Sequence, residues 1–281
     1  MTETFLAART VDEAVEAMAG GAQAIAGGTD LVVAARQGKA ALPESLVAIH
    51  RLDDLRGISG VAGSIRLGAL ATHAEIAGHP IVRERYSALA DACAIVGSEA
   101  TRTHGTVGGN LMNGSPAMEI GGPLICFDAS VTLRSANGTR EVAVADLLVG
   151  PGETSARAGE LLTAVALREP ATGTGSSYAR LEYRRQMEIA VVGATAVVFL
   201  EGGVVSDARV AITAVAPTIR RVHAAESALV GSDGGSDGCR RGTGQSSSSV
   251  TGAGWPSTKS ASSWACPSRG SASSISGSSP A

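Results

Sequence analysis

The chain has few aromatic residues. Its 281 residues include two Trp, three Tyr and three Phe, so Ala, Val, Ile and Leu have to fill the interior. Cysteine is sparse and scattered, at Cys93, Cys126, Cys239 and Cys266. With no Cys-x-x-Cys and no His/Cys pairing, the chain lacks the signature of a zinc or iron–sulfur centre, and at this length a disulfide framework is not expected. Charge is low, at 17 % charged residues and a net −3, which argues against a nucleic-acid-binding face or a polybasic membrane anchor. The longest apolar stretch, Ile189 to Leu200, is interrupted by Gly193 and Thr195 and falls short of the about 20 residues needed to span a bilayer. The N-terminus carries Glu3 where a secretion signal has basic residues. No G-x-x-x-x-G-K-[ST] is present, since Val33 stands where the first glycine before Gly38-Lys39 would be. No strand leads into G-x-G-x-x-G, and G-x-S-x-G and H-E-x-x-H are missing too, so a P-loop, a Rossmann site, a serine-hydrolase elbow and a zinc protease are all excluded. The expectation is a soluble, cytoplasmic protein of mixed helices and strands.

What the chain does have is glycine, 36 residues of it, and a hydrophobic share of 44 %, enough for one large domain or two ordinary ones. Thr10-Val-Asp-Glu13 reads as a capping box opening a helix that stops at Gly20-Gly21. A short strand from Ala22 to Ala26 and a helical run from Leu31 to Gln37 flank the first glycine pair. Leu46–His50 and Ile65–Leu70 read as strands, and Thr72-His-Ala-Glu75 as a second capping box. Ser87–Val96 has helical spacing, with Leu89, Cys93 and Val96 on one side. Gly105 to Pro116 reads as too rich in Gly and Asn for a regular element. Asn137-Gly138 signals a hairpin, Leu161–Leu167 a strand, and Ala190–Leu200 with Val204–Val215 a second hairpin around Gly202-Gly203. Glu169–Ser177 is the best domain boundary.

From Ser232 the composition changes abruptly. Residues 232–281 hold 17 Ser and 9 Gly but, of Val, Ile and Leu, only Val250 and Ile275. Too little apolar surface is available there to offset ordering entropy, so the stretch reads as a disordered Ser/Gly-rich tail. A flexible linker or interaction tail is one reading of it. The reading preferred here is a GC-rich gene translated out of frame.

Two glycine turns stand out as chemistry. Ala26-Gly-Gly-Thr-Asp30 lies between a strand and a helix, and Thr106-Val-Gly-Gly-Asn110 follows some eighty residues later. Paired glycines let a backbone approach a ligand closely, and consecutive N–H groups form an anion-binding nest. Two such turns side by side would suit a pyrophosphate. Taken singly, each is better explained as a tight turn. The five histidines are scattered and read as structural or solvated, and Thr72/Glu75 as a cap.

Together with Leu111-Met-Asn-Gly-Ser-Pro-Ala117, with Tyr178-Ala-Arg180, Arg184-Arg185 and with Met187-Glu-Ile-Ala190-Val-Val-Gly193, these turns resemble the FAD-binding medium subunit of molybdenum hydroxylases. That family includes the carbon monoxide dehydrogenase medium subunit and the xanthine dehydrogenase flavin domain. The resemblance runs from Phe5 to Val230. It implies an α+β fold: a two-lobed FAD-binding domain of the PCMH type over residues 1–170, then a small α+β C-terminal flavoprotein domain over 174–231, truncated before the tail at 232–281. It further implies that Ala26, Gly27, Gly28, Thr29, Asp30 and Leu31, with Thr106, Val107, Gly108, Gly109 and Asn110, cradle the FAD pyrophosphate. Ser115 and Glu119 would lie with Asn110 along the ribityl and pyrophosphate region, Leu161-Leu162 by the isoalloxazine edge, and Arg180 beside the flavin. Tyr178 or Tyr183 would cover a flavin face. Glu119 departs from the family's usual Asp, and Arg180 from its more frequent Lys.

The implied activity is electron transfer within an oxidoreductase complex. The partners would be a large molybdenum-cofactor subunit and a small subunit with two iron–sulfur clusters, and the external acceptor NAD, a quinone or oxygen. No catalytic acid or base is expected, because the flavin carries the redox chemistry. Three alternatives stay open: a self-contained FAD oxidoreductase, a non-redox module that binds another phosphate-bearing ligand, and a defective gene product.

Overall fold

A computed structural model of the chain describes residues 4–61, 63–184 and 187–233. The readings made for residues 234–281 lie outside the described residues. The chain begins with β1 (Thr4–Ala7), α1 (Val11–Ala19), β2 (Gln23–Ile25), α2 (Leu31–Arg36) and β3 (Ser45–Ala48). β3 lies between β1 and β2 and runs parallel to both, as strand–helix–strand crossovers require. α1 starts where Thr10 accepts the Glu13 N–H at 3.1 Å. Its capping box is only half formed: the Glu13 carboxylate reaches past Thr10 and accepts from the Arg9 N–H at 2.8 Å. Val11, Ala14 and Val15 of α1 are buried in a core with Val47, Ile49, Leu52 and Leu55.

The second lobe is built on an antiparallel sheet. Its strands are β4 (Ile58–Val61), β5 (Ser64–Gly68), β6 (Ser130–Ser135), β7 (Gly138–Ala143) and, after the short β8 (Leu148–Gly150) and β9 (Glu153–Thr154), β10 (Leu161–Arg168). The order is β4-β5-β10-β6-β7. Between β5 and β6 run the short helices α3 (His73–Gly78), α4 (Pro80–Arg85), α5 (Ser87–Ile95), α6 (Glu99–His104), α7 (Val107–Asn113) and α8 (Gly121–Cys126), and α9 (Val144–Leu147) precedes β8. β10 ties the lobes together. Leu161 belongs to the first core, while Leu162, Val165 and Leu167 belong to the second: neighbouring Leu161 and Leu162 face opposite sides, and a register irregularity between Leu162 and Ala164 brings Val165 and Leu167 to the side of Leu162. Of the few aromatics, Tyr86 and Phe127 meet edge to face at 5.1 Å in this second core.

One expectation is overturned. The Gly/Asn-rich segment after Gly105 contains a helix, α7, in spite of its two glycines. Thr106 caps its start, accepting the Gly109 N–H at 3.1 Å, and Gly114 closes it in the left-handed region at φ +61°. Burial of Val107 and Leu111 outweighs the low helix propensity of glycine.

The C-terminal sheet consists of β11 (Thr174–Leu181), β12 (Val192–Glu201), β13 (Val204–Thr213) and β14 (Arg220–Arg221), in that order, with α10 (His223–Leu229) after it. The expected hairpin turns through Gly202 and Gly203 at φ +60° and +90°, the two positive values that a tight right-twisted hairpin needs. Tyr178, Val197 and Ala211 on one face of this sheet share the second lobe's core.

Candidate functional site

The first glycine turn leaves β2 and enters α2. Gly28 has φ +70°, a conformation open to glycine and costly for other residues. At Gly27 a methyl group would overlap the carbonyl oxygen of His104. At Gly105 a methyl would lie 2.9 Å from Thr101 O, 3.2 Å from His73 Cδ2 and 3.4 Å from Thr29 Oγ1. The backbone of the first turn is therefore pressed against His104–Gly105, the lead-in to the second turn. Residues far apart in sequence become neighbours because neither turn carries a side chain where they meet.

The two turns differ in what they can offer a ligand. The second is stitched into the protein: Val107 N–H donates to Ala71 O, Gly108 N–H to Ala69 O, and Asn110 N–H to Thr106 O. The Gly109 N–H goes to the Thr106 hydroxyl. Gly108 has no room for a side chain, since a methyl would lie 2.8 Å from Ala69 O. By contrast, the amides of Gly27, Gly28, Thr29 and Asp30 have no acceptor among the described residues, and Asp30 places no side-chain cap on α2. The free donors are those of the first turn. The second turn forms a wall and contributes Asn110, whose Oδ1 is buried and unpartnered. A run of unspent amides facing close-packed backbone is the kind of arrangement that can receive an anion.

Ser115 lies just beyond α7, its hydroxyl accepting the Ala117 N–H at 3.3 Å. Glu119 and Arg180 are brought together. Arg180 Nη1 donates to Glu119 Oε1 at 2.8 Å and also to the carbonyls of Ile95 and Glu188, while its Nε donates to Glu182 at 2.8 Å. The Arg180 side chain is 1 % exposed. Burial raises the Glu119 carboxyl above its ordinary value, with Arg180 opposing and Glu182 adding to the shift. The longer carboxylate and the planar fork thus meet as a buried pair, flanked by a second carboxylate. Leu162 is buried in the second lobe's core. Tyr178 is buried and Tyr183 is 84 % exposed, so they occupy opposite environments.

His73, read from the sequence with the other histidines as structural or solvated, is buried beside the second turn. Its backbone N–H donates to Gly105 O at 3.1 Å, and its ring packs on Gly105. Burial, reinforced by the Arg102 charge, lowers its pKa to about 4, so the base of the second turn is held by a neutral imidazole. The signal available was its place inside the Thr72–Glu75 capping box, which forms completely.

Comparison with known proteins places the chain in a family. Residues 1–169 match the family described as FAD binding domain in molybdopterin dehydrogenase, and residues 177–241 match the CO dehydrogenase flavoprotein C-terminal domain. The chain is 31 % identical over 230 residues to the carbon monoxide dehydrogenase medium chain of Hydrogenophaga pseudoflava, covering 81 % of this chain and 79 % of that one. It is 31 % identical to the xanthine dehydrogenase FAD-binding subunit of Escherichia coli O157:H7, over 79 % and 77 % of the two chains. A solved structure of the Hydrogenophaga pseudoflava carbon monoxide dehydrogenase superposes with a TM-score of 0.79 at 30 % identity, over 84 % of this chain and 83 % of the other.

Proposed function

The chain belongs to the family of FAD-binding medium subunits of molybdenum hydroxylases, with FAD as its cofactor, and from that membership we propose that it is the electron-transfer subunit of such a complex. In this reading it receives electrons from a small subunit with two iron–sulfur clusters and hands them to NAD, a quinone or oxygen. The substrate is oxidised in a large molybdenum-cofactor subunit. FAD, when bound, supplies the capacity to take electrons singly and release them singly or in pairs. Everything else falls to this chain's residues.

The observation that carries the proposal is the run of unspent amides from Gly27 to Asp30 against His104–Gly105. These donors would hold the pyrophosphate, with Ala26 and Leu31 closing the ends of the turn. Thr106, Val107, Gly108 and Gly109 would shape the facing wall, with Asn110 and Ser115 offering side-chain contacts along the same edge. Glu119 and Arg180 would present a fixed polar pair toward the flavin end, and Leu162 an apolar support beneath it. None of these groups has to move a proton; together they bind and orient the cofactor and exclude water.

The test is the visible absorption spectrum of the purified chain after incubation with FAD and removal of the excess. A flavin spectrum at a single FAD per chain is expected, and a folded but colourless chain overturns the cradle. For the electron path, anaerobic mixing of the FAD-loaded chain with a reduced two-cluster partner should bleach the flavin band. An unchanged band with both partners intact would refute the route.

A further inference from the structure

β1 is an outer strand of the first sheet and pairs, among the described residues, only with β3. Thr4 and Ala8 donate their N–H groups inward, to Glu44 O and Ala48 O. By the two-residue alternation of a strand, the N–H and C=O groups of Phe5 and Ala7 point away from the sheet. All four residues of β1 are exposed, Phe5 at 68 % and Leu6 at 44 %. Phe5 and Leu6 lie on opposite faces of the strand, so apolar surface flanks the free edge on both sides.

Such an edge is a template for pairing, and proteins blunt it with a charge, a proline, a bulge or a cover. β1 reads Thr-Phe-Leu-Ala, with neither charge nor proline. Its register with β3 is regular from Thr4↔Ser45 to Ala7↔Ala48, and the exposure of all four residues leaves it uncovered. The strand is also complementary to itself. Turned antiparallel about Leu6, two copies would set Phe5 of each opposite Ala7 of the other, in pairs that exchange their N–H···O bonds, with Leu6 opposite Leu6. A large side chain then faces a small one in the outer pairs, and Leu meets Leu at the axis. Thr4, beside Ser45 on β3, would stand opposite Ala8 of the second copy. The same register therefore brings the Arg9 end of one copy beside the Glu44 end of the other. Arg9 and Glu44 are exposed and form no ion pair among the described residues, so opposite charges are available on both flanks.

We propose that β1 is a dimerisation edge, at which two copies of this chain join by antiparallel pairing of β1 with β1, flanked by Arg9–Glu44 ion pairs between the copies. Four residues a side fall short of the about 20–30 of a standard interface, so the association is weak and depends on concentration. The pairing uses no residue of the cofactor site, and its failure would leave the flavin reading intact.

Sedimentation velocity of the full chain over a wide range of concentration tests it. The average mass should climb from monomer toward dimer as concentration rises. A chain that stays monomeric throughout overturns the proposal and leaves the edge to a different protein. Ala7→Pro removes an N–H that the fold itself does not use, at a place on an outer strand where proline is tolerated. It should keep the parent's Tm and abolish the dimer, and a dimer that survives it overturns the pairing. If Ala7→Pro lowers Tm as well, charge reversal decides. Arg9→Glu or Glu44→Arg alone should raise the dimer Kd several-fold, and the doubly reversed chain should return to the parent value. A double variant as weak as the singles would overturn the register.

Discussion

Gly27 is occupied by glycine for a reason that lies some eighty residues away, in the carbonyl oxygen of His104. Gly27→Ala would push the first turn off the second and spread the amides that face the ligand. The expected outcome is loss of FAD retention in the visible spectrum, with the thermal transition kept. Gly60→Ala is the matched control, because a methyl there meets nothing within 4 Å, and it should hold FAD as the parent does. Glu226 poses a different residue-level test. Burial alone would raise its carboxyl, but hydrogen bonds from Arg221, the Val210 N–H and His223 outweigh burial and hold it at about 2. A depressed carboxylate stabilises the fold above its ordinary value of 4.5, and that contribution fades as pH falls toward about 2. Glu226→Gln should therefore lower stability by about 1.5–3 kcal/mol at neutral pH, the usual worth of hydrogen bonds to a charged group. Urea-unfolding midpoints of parent and variant should converge as the pH drops through that window; a gap independent of pH would refute the assignment.

At the scale of elements, α7 shows how a short helix survives two glycines. Thr106 does double service: its hydroxyl caps α7, and the same residue forms an isolated bridge with Thr72, which lines the second turn up against α3. Thr106→Ala removes the cap and should cost about 1 kcal/mol, read as a Tm lowered by about 2–4 °C, with weaker FAD retention because the wall loosens. Thr106→Ser should restore both. The Thr72–Glu75 capping box was legible in the sequence, as were α1, α5, β10 and the hairpin through Gly202-Gly203, because each rests on local spacing or turn chemistry. α7 was not, since its stability comes from burying Val107 and Leu111, a tertiary effect that overrides propensity. The site divides in the same way. Paired glycines are visible in a string of letters, and the family resemblance suggested that they meet. Which turn keeps its amides free, and that Glu119 and Arg180 hold each other, depends on hydrogen bonds to Ala69, Ala71 and Ile95 that no spacing encodes.

On the scale of the described chain, the sequence reads as two domains and matches two families, yet the second core runs through both. Tyr178, Val197 and Ala211 belong to the same cluster as Leu89, Cys93 and Leu124, and every residue of α8 is buried. Arg180 reaches from β11 to Glu119 and to the end of α5. A fragment of residues 1–170 would thus expose the sheet-facing sides of α5 and α8 and strip the Glu119 carboxylate of its cation; breaking a buried pair costs about 3–5 kcal/mol. That is a large share of the 5–15 kcal/mol typical of a whole domain. The fragment should consequently show no cooperative thermal transition and bind no FAD. Residues 1–233 retain the shared core, the cradle from Ala26 to Asn110, the Arg180 network and the Glu226 lock on α10, whereas residues 234–281 add only Val250 and Ile275 of the branched aliphatic types. This longer fragment should melt cooperatively and bind FAD as tightly as the full chain, by fluorescence titration. A 1–170 fragment that folds and binds would show that the two family domains are energetically separate, and a 1–233 fragment that does not would place an essential contact in the remaining residues.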